Sequence, residues 1–154
     1  MLDLIVIDMQ NQFDAANYPD VVYEVGEEIR EAMERKAKIF LIEYRGYGST
    51  HEFYLKKLNR YKYLHIIKKR KNDGSHCLCN YLKNRNITIS EEIRVCGVNT
   101  LACVKETVHG LSNKFPNKKI HVVLNACGDN IINKKFWESE FSYLKKENMV
   151  LLNA

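Results

Sequence analysis

The chain has no apolar run long enough to cross a bilayer and no N-terminal stretch laid out as a signal peptide. A membrane-spanning or exported protein is therefore not expected, and no membrane partner is foreseen. There are only two prolines in 154 residues, and no biased tract, internal repeat or linker-like segment. A single domain over residues 1–154 is expected. The cysteines number five, an odd count, and some lie in apolar runs, as Cys96 does. That excludes a fully paired disulfide framework, so the thiols are expected to be reduced and the protein cytoplasmic. Cys77-Leu-Cys79 follows His76, but the second cysteine pair of a zinc site is lacking.

What is present suffices for a substantial core: 45% of the residues are apolar. The formal charge of +5 is modest. Its excess gathers around Lys56 to Arg60 and Lys68 to Lys71. A nucleic acid could meet such a surface, but a solvated helix face and loop explain it more simply, and no nucleic-acid partner is expected.

Hydrophobic periodicity alternates between two kinds of segment. Strands are predicted at Leu2–Asp8, Ala37–Glu43, Tyr63–Lys68, Ile93–Gly97, Ile120–Leu124 and Met149–Leu152. Helices are predicted from about Val21 to Arg35, His51 to Arg60, Ser75 to Asn84, Thr100 to Asn113 and Lys134 to Lys146. Ala126–Asp129 reads as a turn. Strands alternating with helices imply right-handed crossovers and a doubly wound, mainly parallel α/β sheet covered on both faces.

In such a sheet ligands gather at the carboxyl ends of the strands. Asp8 ends the first strand. A lysine from Lys68 to Lys71 follows the third, and Cys103 follows the fourth. With Thr100 as N-cap, Cys103 would occupy the first helical turn, where free amides and the helix dipole favour a thiolate and an oxyanion. Taken singly, each residue has a plain alternative: a packed cysteine, a capping aspartate, a solvated lysine. Taken together they offer a nucleophile, a proton acceptor and a charge partner.

At these residues the chain resembles the isochorismatase-like cysteine hydrolases, which include nicotinamidases and other small amidases. Asp8-Met-Gln-Asn-Gln-Phe13 matches the family's Asp-x-Gln-x-x-Phe. Gly97-Val-Asn-Thr-Leu-Ala-Cys-Val-Lys-Glu-Thr107 matches Gly-Val-x-Thr-x-x-Cys-Val-x-x-Thr at every fixed position. The family's lysine, four residues before a small-residue pair, falls on Lys69 before Asp73-Gly74, with Lys71 and Lys68 as alternatives. The resemblance implies a six-stranded sheet of order 3-2-1-4-5-6. It further implies Cys103 as nucleophile, Asp8 as proton carrier and Lys69 as the partner of Asp8. A cis peptide from Val98 to Asn99 would aim the Asn99 amide at an oxyanion, and Phe13 would line the pocket. A homo-oligomer is also implied.

The match departs from the family after the second strand. Nicotinamidases carry an Asp-x-His motif and further histidines there for a metal, whereas this chain has Glu43 to Glu52 with His51 as the one histidine. No metal and no other cofactor are expected, and nicotinamide is in doubt as the substrate. Tyr44, Arg45 and Tyr47 stand where they could touch a substrate. The leading expectation is a metal-independent hydrolase of a small amide or ureido compound. Its rivals are a catalytically silent binding protein on the same fold and a basic nucleic-acid-binding module, whose binding would fall steeply with salt.

Overall fold

The computed structural model describes residues 1–144 and 146–152. Six strands form one all-parallel sheet: β1 (Leu2–Ile7), β2 (Ile39–Tyr44), β3 (Leu64–Lys69), β4 (Glu92–Val98), β5 (Lys119–Gly128) and β6 (Met149–Leu152). Their order is β3-β2-β1-β4-β5-β6, as the family resemblance implied. A parallel sheet needs cover on both faces, which is why β1 and β2 are apolar at nearly every position. Helices α1 (Pro19–Glu34), α2 (Glu52–Lys57), α3 (Ser75–Asn84), α4 (Lys105–Lys114) and α5 (Lys134–Ser142) complete the element order.

Alternate residues of each strand feed two cores. Leu4, Val6, Ile39 and Leu41 pack with Val25 and Ile29 of α1 and with Tyr54 and Leu58 at α2. Ile5, Ile7, Phe40, Ile42 and Ile67 pack with Leu78 of α3, Val108 and Leu111 of α4, and Trp137 and Phe141 of α5. Arg94 of β4 spans to α1, where its guanidinium meets both carboxylate oxygens of Glu28 at 2.6 and 2.7 Å. Both groups are largely buried, so this pair ties the sheet to the helix that covers it.

Four boundaries differ from the sequence reading by three residues or more. The segment after β4 does not enter an α-helix directly. Residues Thr100–Val104 make a wider π-type turn, in which the Val104 amide reaches back to the Asn99 carbonyl at 3.1 Å, and α4 starts only at Lys105. Strand β5 continues through Ala126 to Gly128, where a turn was expected, because the β4–β5 register shifts between Val95 and Gly97 and takes up the extra residues. Helix α2 stops at Lys57, short of Arg60, which has a positive φ of 65°. Helix α5 stops at Ser142 rather than Lys146, with Tyr143 and Leu144 in a turn; Lys145 lies outside the described residues.

Strands β1 and β4 meet closely at their carboxyl ends, where Ile7 pairs with Gly97. Gly97 has φ +119°, and a Cβ there would run into the Ile7 backbone. Only glycine fits this crossing, which sets the distance between the residues that follow the two strands.

Candidate active site

Asp8 leaves β1 with φ 52°, a left-handed conformation that aspartate tolerates better than most residues. It is 1% exposed. Lys69, the last residue of β3, is 0% exposed, and its Nζ lies 3.0 Å from Asp8 Oδ2. The register explains the choice among the lysines. Lys69 pairs with Tyr44 and projects to the α3–α4 face, whereas Lys68 pairs with Glu43 and meets its carboxylate at 3.3 Å. Lys71 is exposed.

Cys103 stands at the same edge, 4% exposed. Its thiol reaches Asn72 Oδ1 at 3.7 Å, and its sulfur lies beside the Asp8 carboxyl. Neither Asp8 oxygen receives a well-aligned hydrogen bond; the Lys69 charge is the main favourable partner of this carboxyl, with the Cys103 thiol beside it. Asp8, Lys69 and Cys103 thus come together from the ends of three strands.

Burial dominates the electrostatics. It lifts the Asp8 carboxyl above its ordinary value, against the pull of the Lys69 ammonium and the Cys103 thiol. It pushes the Cys103 thiol up to about 12, with the Asp8 charge adding to the effect. The expectation of a resting thiolate is therefore corrected: in this dry site beside a carboxylate the sulfur keeps its proton.

Thr100 is likewise not the N-cap. Asn99 holds that position, and Thr100 Oγ1 is buried without a hydrogen-bond partner. The Val98–Asn99 peptide is cis. The Asn99 amide has no acceptor among the described residues, whereas the Leu101 amide donates to Asp129 Oδ2 at 2.9 Å.

Phe13 connects to this cluster through Tyr44. It stacks on Tyr47 at 4.7 Å between centroids and tilts against Tyr44 at 6.3 Å. The Tyr44 ring in turn faces Lys69 Nζ at 4.3 Å, a cation–π contact. Arg45 is exposed.

Three supporting residues were given no role by the sequence reading, although Gln10 and Thr107 are fixed positions of the two motifs. Gln10, fully buried, accepts from the Tyr44 amide and donates to the carbonyls of Tyr44 and Gly48, all within 2.9 Å. It pins the loop after β2 to the end of β1. Thr107 Oγ1 accepts from the Gly74 amide at 2.9 Å and donates to the Asn72 carbonyl at 3.3 Å, the same carbonyl that Lys69 Nζ meets at 2.9 Å. Asn72 itself had no signal beyond its place between Lys69 and the helix that follows.

The residues after β2 do not fit a metal. Glu43 Oε2 accepts from the Thr50 amide at 2.6 Å, and the His51 ring nitrogen lies 2.7 Å from the Ala16 carbonyl oxygen. Each polar group is engaged in holding a loop. Among the described residues no three or more His, Cys, Asp or Glu side chains are grouped as metal ligands. None of their helices is long and apolar enough to cross a membrane.

The family model of the isochorismatase domain matches residues 4–152. The chain belongs to the isochorismatase family. Solved structures carry this family fold at low identity. A nicotinamidase from Staphylococcus aureus is 20% identical, with 98% of each chain covered and a TM-score of 0.76. An isochorismatase from Pseudomonas putida is 14% identical over 97% of this chain and 86% of its own, with a TM-score of 0.76. The MAR1 ribonuclease from Caenorhabditis elegans is 18% identical over 98% of this chain and 75% of its own, with a TM-score of 0.75. No curated protein matches the chain in sequence. These likenesses establish the fold, and chemistry must be argued from the site.

Proposed function

We propose that this isochorismatase-family protein is a metal-independent cysteine hydrolase that cleaves the C–N bond of a small amide or ureido substrate. The observation that carries the reading is the buried Asp8–Lys69 pair, 3.0 Å apart, with the Cys103 sulfur beside it.

The chemistry follows from the protonation states. Cys103 holds its proton at rest, so it must lose it as it attacks. Asp8, made more basic by burial, takes that proton while Sγ bonds to the acyl carbon. The carbonyl oxygen becomes an oxyanion, which the unpartnered Asn99 amide receives together with the Cys103 amide. The C–N bond then breaks as Asp8 passes the proton to the leaving nitrogen, and an acyl thioester remains on Cys103. Water adds to the thioester carbon and gives a proton to Asp8. The C–S bond breaks, the sulfur recovers the proton, and the acid departs.

Lys69 acts through Asp8. Its ammonium keeps the carboxylate ionised in a dry site, and the hydrogen bond to the Asn72 carbonyl fixes its direction. Phe13, Tyr44 and Tyr47 offer flat apolar faces to a planar substrate. Nicotinamide, which the name of the S. aureus nicotinamidase would suggest, is disfavoured as the substrate, because the segment after β2 lacks a fitting metal ligand set.

The test is an ammonia-release screen over small amides and ureides, run with Cys103→Ala in parallel. Turnover that vanishes in the variant supports both reaction class and nucleophile. Turnover that survives it removes Cys103 from the mechanism.

A further inference from the structure

At the outer edge of the sheet, where β3 ends and α3 begins, lies a cavity of about 370 Å³. Arg45, Lys68, Arg70, Lys71 and His76 line it, and Asp73 is its one acid. Asp73 Oδ1 accepts from the Ser75 amide at 2.8 Å, and its single negative charge is outnumbered by the cations around it. Lys68 is shared with Glu43 at 3.3 Å. Arg45, Arg70 and Lys71 make no ion pair among the described residues. Three cations without an ion pair thus share one concave space with a single carboxylate, leaving a net positive field that favours an entering anion.

The backbone adds to the same field. Helix α3 is ten residues long and starts at the cavity rim, so its positive end faces this region. His76 and Cys77, in its first turn, line the cavity, and their amides have no acceptor among the described residues. A guanidinium presents paired N–H donors that match adjacent oxygens of a phosphate, and two arginines with a lysine suit a group carrying more than one negative charge.

We infer that this cavity binds a small ligand bearing one or more phosphate groups, gripped by Arg45, Arg70 and Lys71. A nucleic-acid strand fits less well. The charge is gathered in one hollow, and the other basic stretch, on α2, has Lys56 placed 3.4 Å from Glu52. The inference is independent of amide hydrolysis, because binding here needs no turnover.

The test is isothermal titration of the full chain with inorganic pyrophosphate, with ADP and with a single-stranded RNA oligomer. Pyrophosphate or ADP is expected to bind at one per chain and to weaken as salt rises. The double variant Arg70→Gln/Lys71→Gln is expected to bind at least about tenfold more weakly, and Cys103→Ala to bind as the parent does. Arg45→Gln serves as a second variant with the same direction of effect. Arg45, Arg70 and Lys71 are exposed, and an unchanged Tm establishes that a variant is folded. The inference is overturned if neither pyrophosphate nor ADP saturates, if the folded variants bind like the parent, or if RNA binds while both small ligands fail.

Discussion

Lys69 Nζ and Asp8 Oδ2 are 3.0 Å apart, with both side chains sealed from solvent at 0% and 1% exposure. Neither charge has water to fall back on, so each depends on the other. Lys69→Met is expected to leave a buried carboxylate without its cation and to destabilise the fold by about 3–5 kcal/mol. Asp8→Asn should act similarly, and the double variant should lose clearly less than the sum of the two. Urea denaturation of the three variants measures this. Purely additive losses would mean that the two residues are not coupled as the distance indicates.

Cys103→Ala is expected to lower amide turnover by at least about a thousandfold while the protein remains folded. The side chain is small and packs beside Val104 and Val108, so the truncation leaves only a minor void. Cys103→Ser tests the chemistry more narrowly. A hydroxyl in the same place is harder to deprotonate than the thiol, so the serine variant should stay far below the parent. Comparable rates in the serine variant would show that sulfur is not the attacking atom.

The pH dependence follows from burial. Asp8 must be ionised to accept the thiol proton, and its value is lifted above 3.8. The acid limb of kcat/KM should therefore lie at higher pH than an ordinary carboxylate would give. Cys103 is pushed up to about 12, so no second rise should appear near the ordinary thiol value of 9.0. A rate that climbed with a midpoint near 9 would mean that preformed thiolate is the reactive species. The folded protein also holds the Asp8 proton more tightly than the unfolded chain does. This group therefore makes the fold less stable as pH rises from 3.8 through the folded value.

The strands were legible because a buried parallel strand leaves an apolar run such as Leu4 to Ile7, which no exposed element carries. Asp8 and Cys103 were legible for a related reason: chemistry gathers where such runs end. The π-turn at Thr100–Val104 was not, since Thr100 is as good an N-cap by type as Asn99, and only the backbone shows which carbonyl the Val104 amide reaches. The thiol's protonation was misjudged because a helix start favours an anion locally, while burial beside Asp8 disfavours it more strongly. Gln10, Asn72 and Thr107 act through backbone groups of other segments, and no spacing in the sequence encodes those partners.

Thr107 holds the loop that orients Lys69. Thr107→Val keeps the shape of the side chain but deprives the Gly74 amide of its acceptor and the Asn72 carbonyl of one donor. A loss of about 1–3 kcal/mol is expected from the buried orphaned donor. Turnover should fall more in kcat than in KM, because the loop bears on Lys69 rather than on bound substrate. Thr107→Ser, which retains the hydroxyl, should restore most of both. A Thr107→Val protein with normal kcat would remove the Asn72 loop from the positioning of Lys69.

Gly97 sets the approach of β1 to β4, and with it the meeting of Asp8 and Cys103. At φ +119° an alanine is already strained, and its methyl group would collide with the Ile7 carbonyl and amide, which are backbone atoms that cannot rotate away. The strands can relieve the clash only by separating at the paired positions Ile7 and Gly97. Gly97→Ala is therefore expected to cost more than about 3 kcal/mol and to abolish turnover even where the protein can still be purified folded. Measuring urea stability and ammonia release on one preparation separates the two effects. A stable, fully active Gly97→Ala protein would show that the strand ends tolerate separation, and that the Asp8–Cys103 distance is not set by this crossing.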